Sequence, residues 1–153
     1  MLAIFVKKIL QLRTLLEQLK FYRIPLQKLA TGHYKFQVKV NNKKGRFILD
    51  TGASTSCIGL DQATYFLLHG EVSDVKAAGA GAINMETKIA RNNQLKMGDK
   101  VLKNIDLILF NLSHVNEALA QVDEDAIDGI IGADLLKQCQ AKIDYGRNCL
   151  YIK

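Results

Sequence analysis

From Tyr34 the chain alternates: Tyr34, Phe36, Val38 and Val40 are apolar or aromatic, while Lys35, Gln37 and Lys39 are polar. That period of two predicts a strand with one buried face. Asn41-Asn42-Lys43-Lys44-Gly45 supplies turn chemistry, and Arg46 to Asp50 begins a return strand, so a hairpin delivers Asp50 to the next loop. Ahead of the hairpin, Leu2, Phe5, Ile9, Leu12, Leu16 and Leu19 recur at alternating steps of three and four. This is the seam of an amphipathic helix, predicted to run to about residue 22, with Pro25 ending the pattern. Downstream, Leu60 to Leu68 reads as a short helix or irregular segment, and residues 72 to 97 as a long hairpin with a glycine-rich tip. Val101 to Phe110 has the apolar density of a strand, Val115 to Val122 looks helical, and Ile130-Ile131 reads as a buried strand. A short helix follows at Ala133 to Gln138, and a last hairpin joins Ala141–Tyr145 to Cys149–Ile152. Many short strands with few helices predict a mainly β, barrel-like body at 23–153 behind a helical leader at 1–22.

Length and composition narrow this picture. The chain has 153 residues, enough for one core of ordinary size. The net charge of +6 would suit a nucleic-acid partner, but its distribution argues otherwise. Residues 1 to 28 carry six basic residues against the single acid Glu17, leaving fifteen basic against fourteen acidic in the remainder. A nearly neutral body with a basic leader is not a basic groove across a fold, so no nucleic-acid partner is expected. The leader is suited to packing on the body or on a second copy, or to peripheral contact with a membrane surface. Its apolar run Leu2 to Val6 stops at Lys7-Lys8, too short to span a bilayer, and it lacks a signal-peptide pattern. Cys57, Cys139 and Cys149 are odd in number with no C-x-x-C spacing, as expected in a reducing compartment, and the expected location is cytoplasmic, with membrane association through the leader as the variant. His33, His69 and His114 have no paired-ligand spacing, so no metal is expected.

The segment that carries chemistry is Phe47-Ile48-Leu49-Asp50-Thr51-Gly52-Ala53-Ser54. Three apolar residues anchor a strand in the core, so the Asp50 carboxylate emerges from a rigid base. Gly52 permits close backbone approach and leaves nearby amides free to bond a carboxylate. Asp-Thr-Gly is also ordinary turn chemistry, yet with three preceding apolar residues it arises by chance in only about 0.1% of chains this long.

This segment resembles that of the aspartic proteases, specifically the retroviral-type (retropepsin-like) branch in which each chain contributes one lobe. The resemblance extends over residues 21 to 153 and includes two further landmarks in the family's order: Ala78-Gly79-Ala80-Gly81-Ala82, and Asp128-Gly129-Ile130-Ile131-Gly132-Ala133-Asp134-Leu135-Leu136. It implies a closed half-barrel with short helices, working as a homodimer. It further implies that Asp50 is the catalytic carboxylate within the loop Asp50, Thr51 and Gly52, that Thr51 locks the loops of two subunits together, and that Ser54 bonds the outer oxygen of Asp50. Ala53, Ile131 and Gly132 would support the loop, and Gly79, Ala80 and Gly81 would form the tip of a flap over bound peptide. The last strand, around Cys149 to Ile152, would join an intersubunit sheet.

Metal-free peptide hydrolysis needs one carboxylate to deprotonate water and a second, protonated one to polarise the carbonyl. The chain holds one Asp-Thr-Gly, so the second must come from another subunit. The expectation is an aspartic endopeptidase acting on polypeptide without a cofactor; the alternative is a non-catalytic dimerisation or peptide-binding module on the same fold. Asp128 and Asp134 read as turn or helix-end residues rather than a second catalytic acid. The flap lacks the fuller glycine run and bulky tip residue of many family members, and Asn84 replaces the third glycine that a G-x-G-x-x-G nucleotide loop needs.

Overall fold

A computed structural model describes residues 11–73, 77–79 and 82–153. The early strands are β1 (Tyr22–Pro25), β2 (Gln27–Lys28), β3 (Tyr34–Val40), β4 (Lys43–Leu49) and β5 (Cys57–Gly59). They are followed by β6 (Gly70–Val72), β7 (Ala77–Gly79), β8 (Ala82–Met85), β9 (Lys88–Met97) and β10 (Lys100–Phe110). The last are β11 (Gly129–Ile131), β12 (Lys142–Asp144) and β13 (Cys149–Ile152). Helices α1 (Leu12–Gln18), α2 (Ser113–Ala120) and α3 (Ala133–Gln138) are short.

Strands β3, β4, β11, β5, β10 and β9 are neighbours in that order, and pairing of β3 with β9 closes them into a six-stranded barrel. The alternation in β3 turns Phe36, Val38 and Val40 into the barrel, where they meet Phe47 and Leu49 of β4 and Ile131 of β11. Ile48 points the other way and packs with Leu29, Leu119 and Ile127 beneath α2. Strand β4 is therefore buried on both faces, which is why it reads as an apolar triplet rather than an alternation.

The β3–β4 turn is tighter than the five-residue sequence pattern suggested. Val40 pairs with Lys43, and Asn41 and Asn42 alone make the turn with φ of 47° and 66°. Two residues of left-handed backbone form the hairpin connection whose twist matches its strands, and asparagine tolerates that conformation. Gly45 sits within β4, where an added Cβ would lie 2.6 Å from Cζ of Phe66.

The leader also differs from expectation. The helix ends at Gln18, and Tyr22 to Pro25 is a strand paired with β13. The stop is a backbone motif, not Pro25. Lys20 adopts φ 70°, its amide donates to the Glu17 carbonyl at 3.0 Å, and the Phe21 amide donates to the Leu16 carbonyl at 2.9 Å. These are the two bonds of a Schellman turn, and Leu16 and Phe21 make its hydrophobic contact over Cys149 and Tyr151. The predicted seam is split accordingly: Leu16 is buried, while Leu12 and Leu19 are 46% and 49% exposed. The seam residues Leu2, Phe5 and Ile9 lie outside the described residues. Among the described residues no helix is long and apolar enough to cross a membrane.

The chain ends in a separate three-stranded sheet ordered β1-β13-β12. Tyr22–Pro25 pairs along one side of β13 and Lys142–Asp144 along the other. The last strand thus has both edges occupied by its own chain. Within the chain this strand, expected to join an intersubunit sheet, is the centre of a three-stranded sheet whose two edges are β1 and β12.

Candidate active site

The parallel pairing of β4 with β11 sets Phe47 opposite Gly129, Ile48 opposite Ile130 and Leu49 opposite Ile131. Gly129 is required by this closeness, since a Cβ there would overlap the Phe47 ring and sit 2.6 Å from the Cys57 carbonyl oxygen. Both strands end together, and the loops that leave them meet. The Asp50 amide donates to the Ile131 carbonyl at 3.0 Å, continuing the ladder one residue further. Asp50 is half-buried, and its Oδ1 accepts the Gly52 amide at 2.9 Å. A backbone donor to one carboxylate oxygen fixes the side-chain direction and leaves the other oxygen available for chemistry.

Three of the four loop-support residues, Ala53, Ile131 and Gly132, come together here. The Ala53 amide closes the turn on the Asp50 carbonyl at 3.3 Å, and the Ala133 amide donates to the Ala53 carbonyl at 2.7 Å. Ile131 is fully buried, and a Cβ on Gly132 would lie 2.6 Å from the Ala53 carbonyl oxygen, so only glycine permits the two loops to touch. Thr51 is exposed and lines a groove of about 390 Å³ with Leu136 of α3 and Ala141, Lys142 and Ile143 of β12 and its approach.

Ser54 is placed otherwise than the resemblance implied. It is exposed, and no hydrogen bond joins it to Asp50. The hydroxyl built into the loop is that of Ser56, two residues on and buried. Its Oγ donates to Asp134 Oδ1 at 2.6 Å and accepts the Gly132 amide at 2.8 Å, while its own amide donates to the same Asp134 oxygen at 2.9 Å. Asp134 in the first turn of α3 thus ties that helix to the chain 78 residues earlier. Asp128 is likewise structural: its Oδ2 accepts the Arg46 amide at 2.7 Å. The only sequence signal for Ser56 was its membership of the run Ser54-Thr55-Ser56, which does not say which hydroxyl turns inward.

Of the flap residues, Gly79 closes strand β7, which pairs with β8, and Ala80 and Gly81 lie outside the described residues. Among the described residues no group of three or more His, Cys, Asp or Glu is placed to hold a metal ion.

Cys57 begins β5 directly behind the loop. Burial pushes its thiol up to about 12, partly opposed by a hydrogen bond with the Ile130 backbone, and the Asp134 and Asp50 charges push the same way as burial. The thiol is a proton-bearing packing group here, not a thiolate nucleophile.

Two predictions follow from this geometry. Ser56→Ala leaves the buried Gly132 amide without its acceptor, and should cost about 1–3 kcal/mol in denaturant unfolding; an unchanged midpoint would contradict the brace. The unfolded Cys57 thiol ionises near pH 8.5 while the folded one keeps its proton, so the folded state binds more protons above that pH. The stability that wild type holds relative to Cys57→Ala should therefore be constant below about pH 8 and shrink as pH rises further. A difference that grows with pH would reverse the sign and refute the assignment.

A family model described as aspartyl protease matches residues 36–135. Among curated proteins no sequence matches significantly. Among solved structures, the chain is similar to a retropepsin-like aspartic protease from Rickettsia conorii, with TM-score 0.62 and 21% identity over 86% of this chain and 90% of that one. It is similar to the EIAV protease complexed with the inhibitor HBY-793, with TM-score 0.56 and 19% identity over 77% and 98% of the two chains. It is also similar to the retroviral protease-like domain of Ddi1 from Leishmania major, with TM-score 0.54 and 20% identity over 78% and 86%. The chain therefore belongs to the aspartyl protease family and has the retropepsin-like fold.

Proposed function

We propose that the chain is an aspartic endopeptidase that becomes active as a homodimer, with Asp50 of each copy facing the other across a two-fold axis. The observation that carries this reading is the Asp50 carboxylate itself. It is half-buried at the end of a strand enclosed on both faces, with Oδ1 held by the Gly52 amide. One such group cannot serve as both base and acid, whereas two brought to about 3 Å share a single proton because both cannot ionise together.

In the dimer the unprotonated carboxylate takes a proton from the attacking water as its oxygen bonds to the peptide carbonyl carbon. The protonated carboxyl of the other copy donates to the developing oxyanion. Collapse of the tetrahedral intermediate breaks the C–N bond, and the proton gained from water passes to the departing nitrogen. The pair is left sharing one proton, ready for another water. Thr51, exposed beside the site, is suited to hold the two loops together, and the β7–β8 hairpin is the element suited to closing over an extended substrate.

The terminal sheet supports the same assembly by a route other than the last strand. Of its two edge strands, β1 and β12, it is β12 that borders the groove lined by Thr51, so pairing β12 with its own symmetry mate would join the two three-stranded sheets beside the catalytic loops. An isologous contact of this kind presents the same edge twice.

Asp50→Asn should keep the fold and the dimer and lower peptide cleavage by at least about a thousandfold, since the pair then lacks its base. Thermal shift and native mass spectrometry with the statine peptide pepstatin should show one inhibitor per dimer. Cleavage should fall as pH rises far enough to ionise both carboxyls. A rate that still climbs above pH 8, or an Asp50→Asn variant with unchanged turnover, would refute the mechanism. Peptide bound by a dimer that yields no product by mass spectrometry would assign the fold to a non-catalytic binding module.

A further inference from the structure

Helix α1 lies on the outer face of the terminal sheet. The inner face, with Ile24, Leu150 and Ile152, belongs to the barrel core, whereas Cys149 and Tyr151 alternate to the other side and are covered by Leu16 and Phe21. The Phe21 ring is held there by two ammonium groups, Nζ of Lys142 at 4.4 Å and Nζ of Lys153 at 5.7 Å from its centroid. Of the helix's own apolar stripe this contact uses Leu16 alone. Leu12, Leu15 and, at the C-terminal cap, Leu19 are spaced by three and four, so they share a side, and they stay 46%, 38% and 49% exposed. Three neighbouring leucines on one side of a helix form a patch rather than scattered exposure.

The charge around the patch indicates what covers it. The acids at hand are engaged within the chain: Glu17 pairs with Arg13 at 2.8 Å and Asp144 with Arg147 at 3.4 Å. Lys20, Lys142 and Lys153 are exposed and form no ion pair among the described residues. The sequence ahead of the helix carries both features further, with Leu2, Phe5 and Ile9 at the same spacing and Lys7-Lys8 among them. A leucine stripe bordered by unpaired lysines matches the boundary between acyl chains and anionic headgroups, where apolar side chains are buried and ammonium groups meet phosphates. The proposed dimer adds a reason for a flat partner. Antiparallel pairing of β12 with its own mate has its two-fold axis perpendicular to the sheet, so both α1 helices would be presented on one side.

We propose that the exposed leucine face of α1, with the lysines around it, docks the protein on the surface of a membrane containing anionic lipid, lying in the interface without crossing it. The docking does not depend on the chain being a peptidase. Three leucines and a few lysines attach one chain weakly, and a dimer presenting two such faces to one surface binds more tightly through effective concentration.

Co-sedimentation of the full chain with phosphatidylcholine vesicles containing phosphatidylglycerol, against vesicles of phosphatidylcholine alone, tests the docking. Binding should require the anionic lipid, weaken with added salt, and fall by at least about tenfold in the double variant Leu12→Gln/Leu19→Gln. Leu67→Gln, the same change at a 57% exposed leucine between β5 and β6, should bind as wild type does. The chain has no tryptophan, so Leu15→Trp reports on the face directly: its emission should shift to the blue with anionic vesicles, and that of Leu67→Trp should not. Absence of co-sedimentation with anionic vesicles at low salt, equal binding by the double variant, or an unshifted Leu15→Trp emission would overturn the proposal. So would a double variant that loses a dimer seen for wild type by native mass spectrometry without lipid, which would assign the leucine face to a second copy of the chain.

Discussion

The structure turns on the parallel pairing of three residues, Phe47–Leu49, with Gly129–Ile131. These two strands lie within the barrel wall, and β4 is covered inside by the core and outside by α2. Because both are fixed along their length, the points where they end are fixed as well. Asp50 leaves one and Gly132 leaves the other, and the Asp50–Ile131, Ala133–Ala53 and Gly132–Ser56 hydrogen bonds clasp the two loops. A carboxylate positioned for proton transfer needs this kind of support, since a small displacement of the reacting groups is expensive in rate. Glycine is demanded at 129 and 132 by closeness and not by unusual dihedral angles: neither has positive φ, and both would meet a neighbouring carbonyl if they carried a Cβ.

Under the proposed mechanism the chain supplies half of an acid–base pair. The Asp50 loop is braced from behind, with Thr51 exposed and a groove running from it to β12. The terminal sheet has β13 at its centre and β1 and β12 as its edges. In the proposed dimer one loop and one strand edge, that of β12, would each be used twice across a two-fold axis.

The barrel was legible in the sequence wherever burial alone sets the pattern. Tyr34–Val40 alternates because one face is core, and Phe47–Leu49 does not alternate because both faces are. The Asp50 loop was legible because carboxylate, hydroxyl and glycine serve local geometry within three residues. What could not be read depended on backbone choices or distant partners. Lys20 takes a left-handed conformation usually given to glycine, so the end of α1 carried no glycine signal, and Pro25 offered a more familiar stop but is the last residue of the strand that begins at Tyr22. Ser56 and Asp134 meet across 78 residues, and Ser54 was the more obvious hydroxyl by proximity to Asp50. The confinement of β13 between β1 and β12 is a matter of topology, and a four-residue apolar strand looks the same at an edge as in the middle.

Subunit mixing tests most directly whether one catalytic centre is assembled from two chains. Wild-type chain is held at constant concentration while Asp50→Asn chain is added under conditions that allow exchange of subunits, and cleavage of a peptide is followed. If each centre takes one carboxylate from each copy, mixed pairs are inactive, and activity per wild-type chain falls to about half at equal concentrations and toward zero in excess variant. Activity that stays constant however much variant is added, with mixed pairs confirmed by native mass spectrometry, would show that a single chain carries a complete centre and would contradict the account.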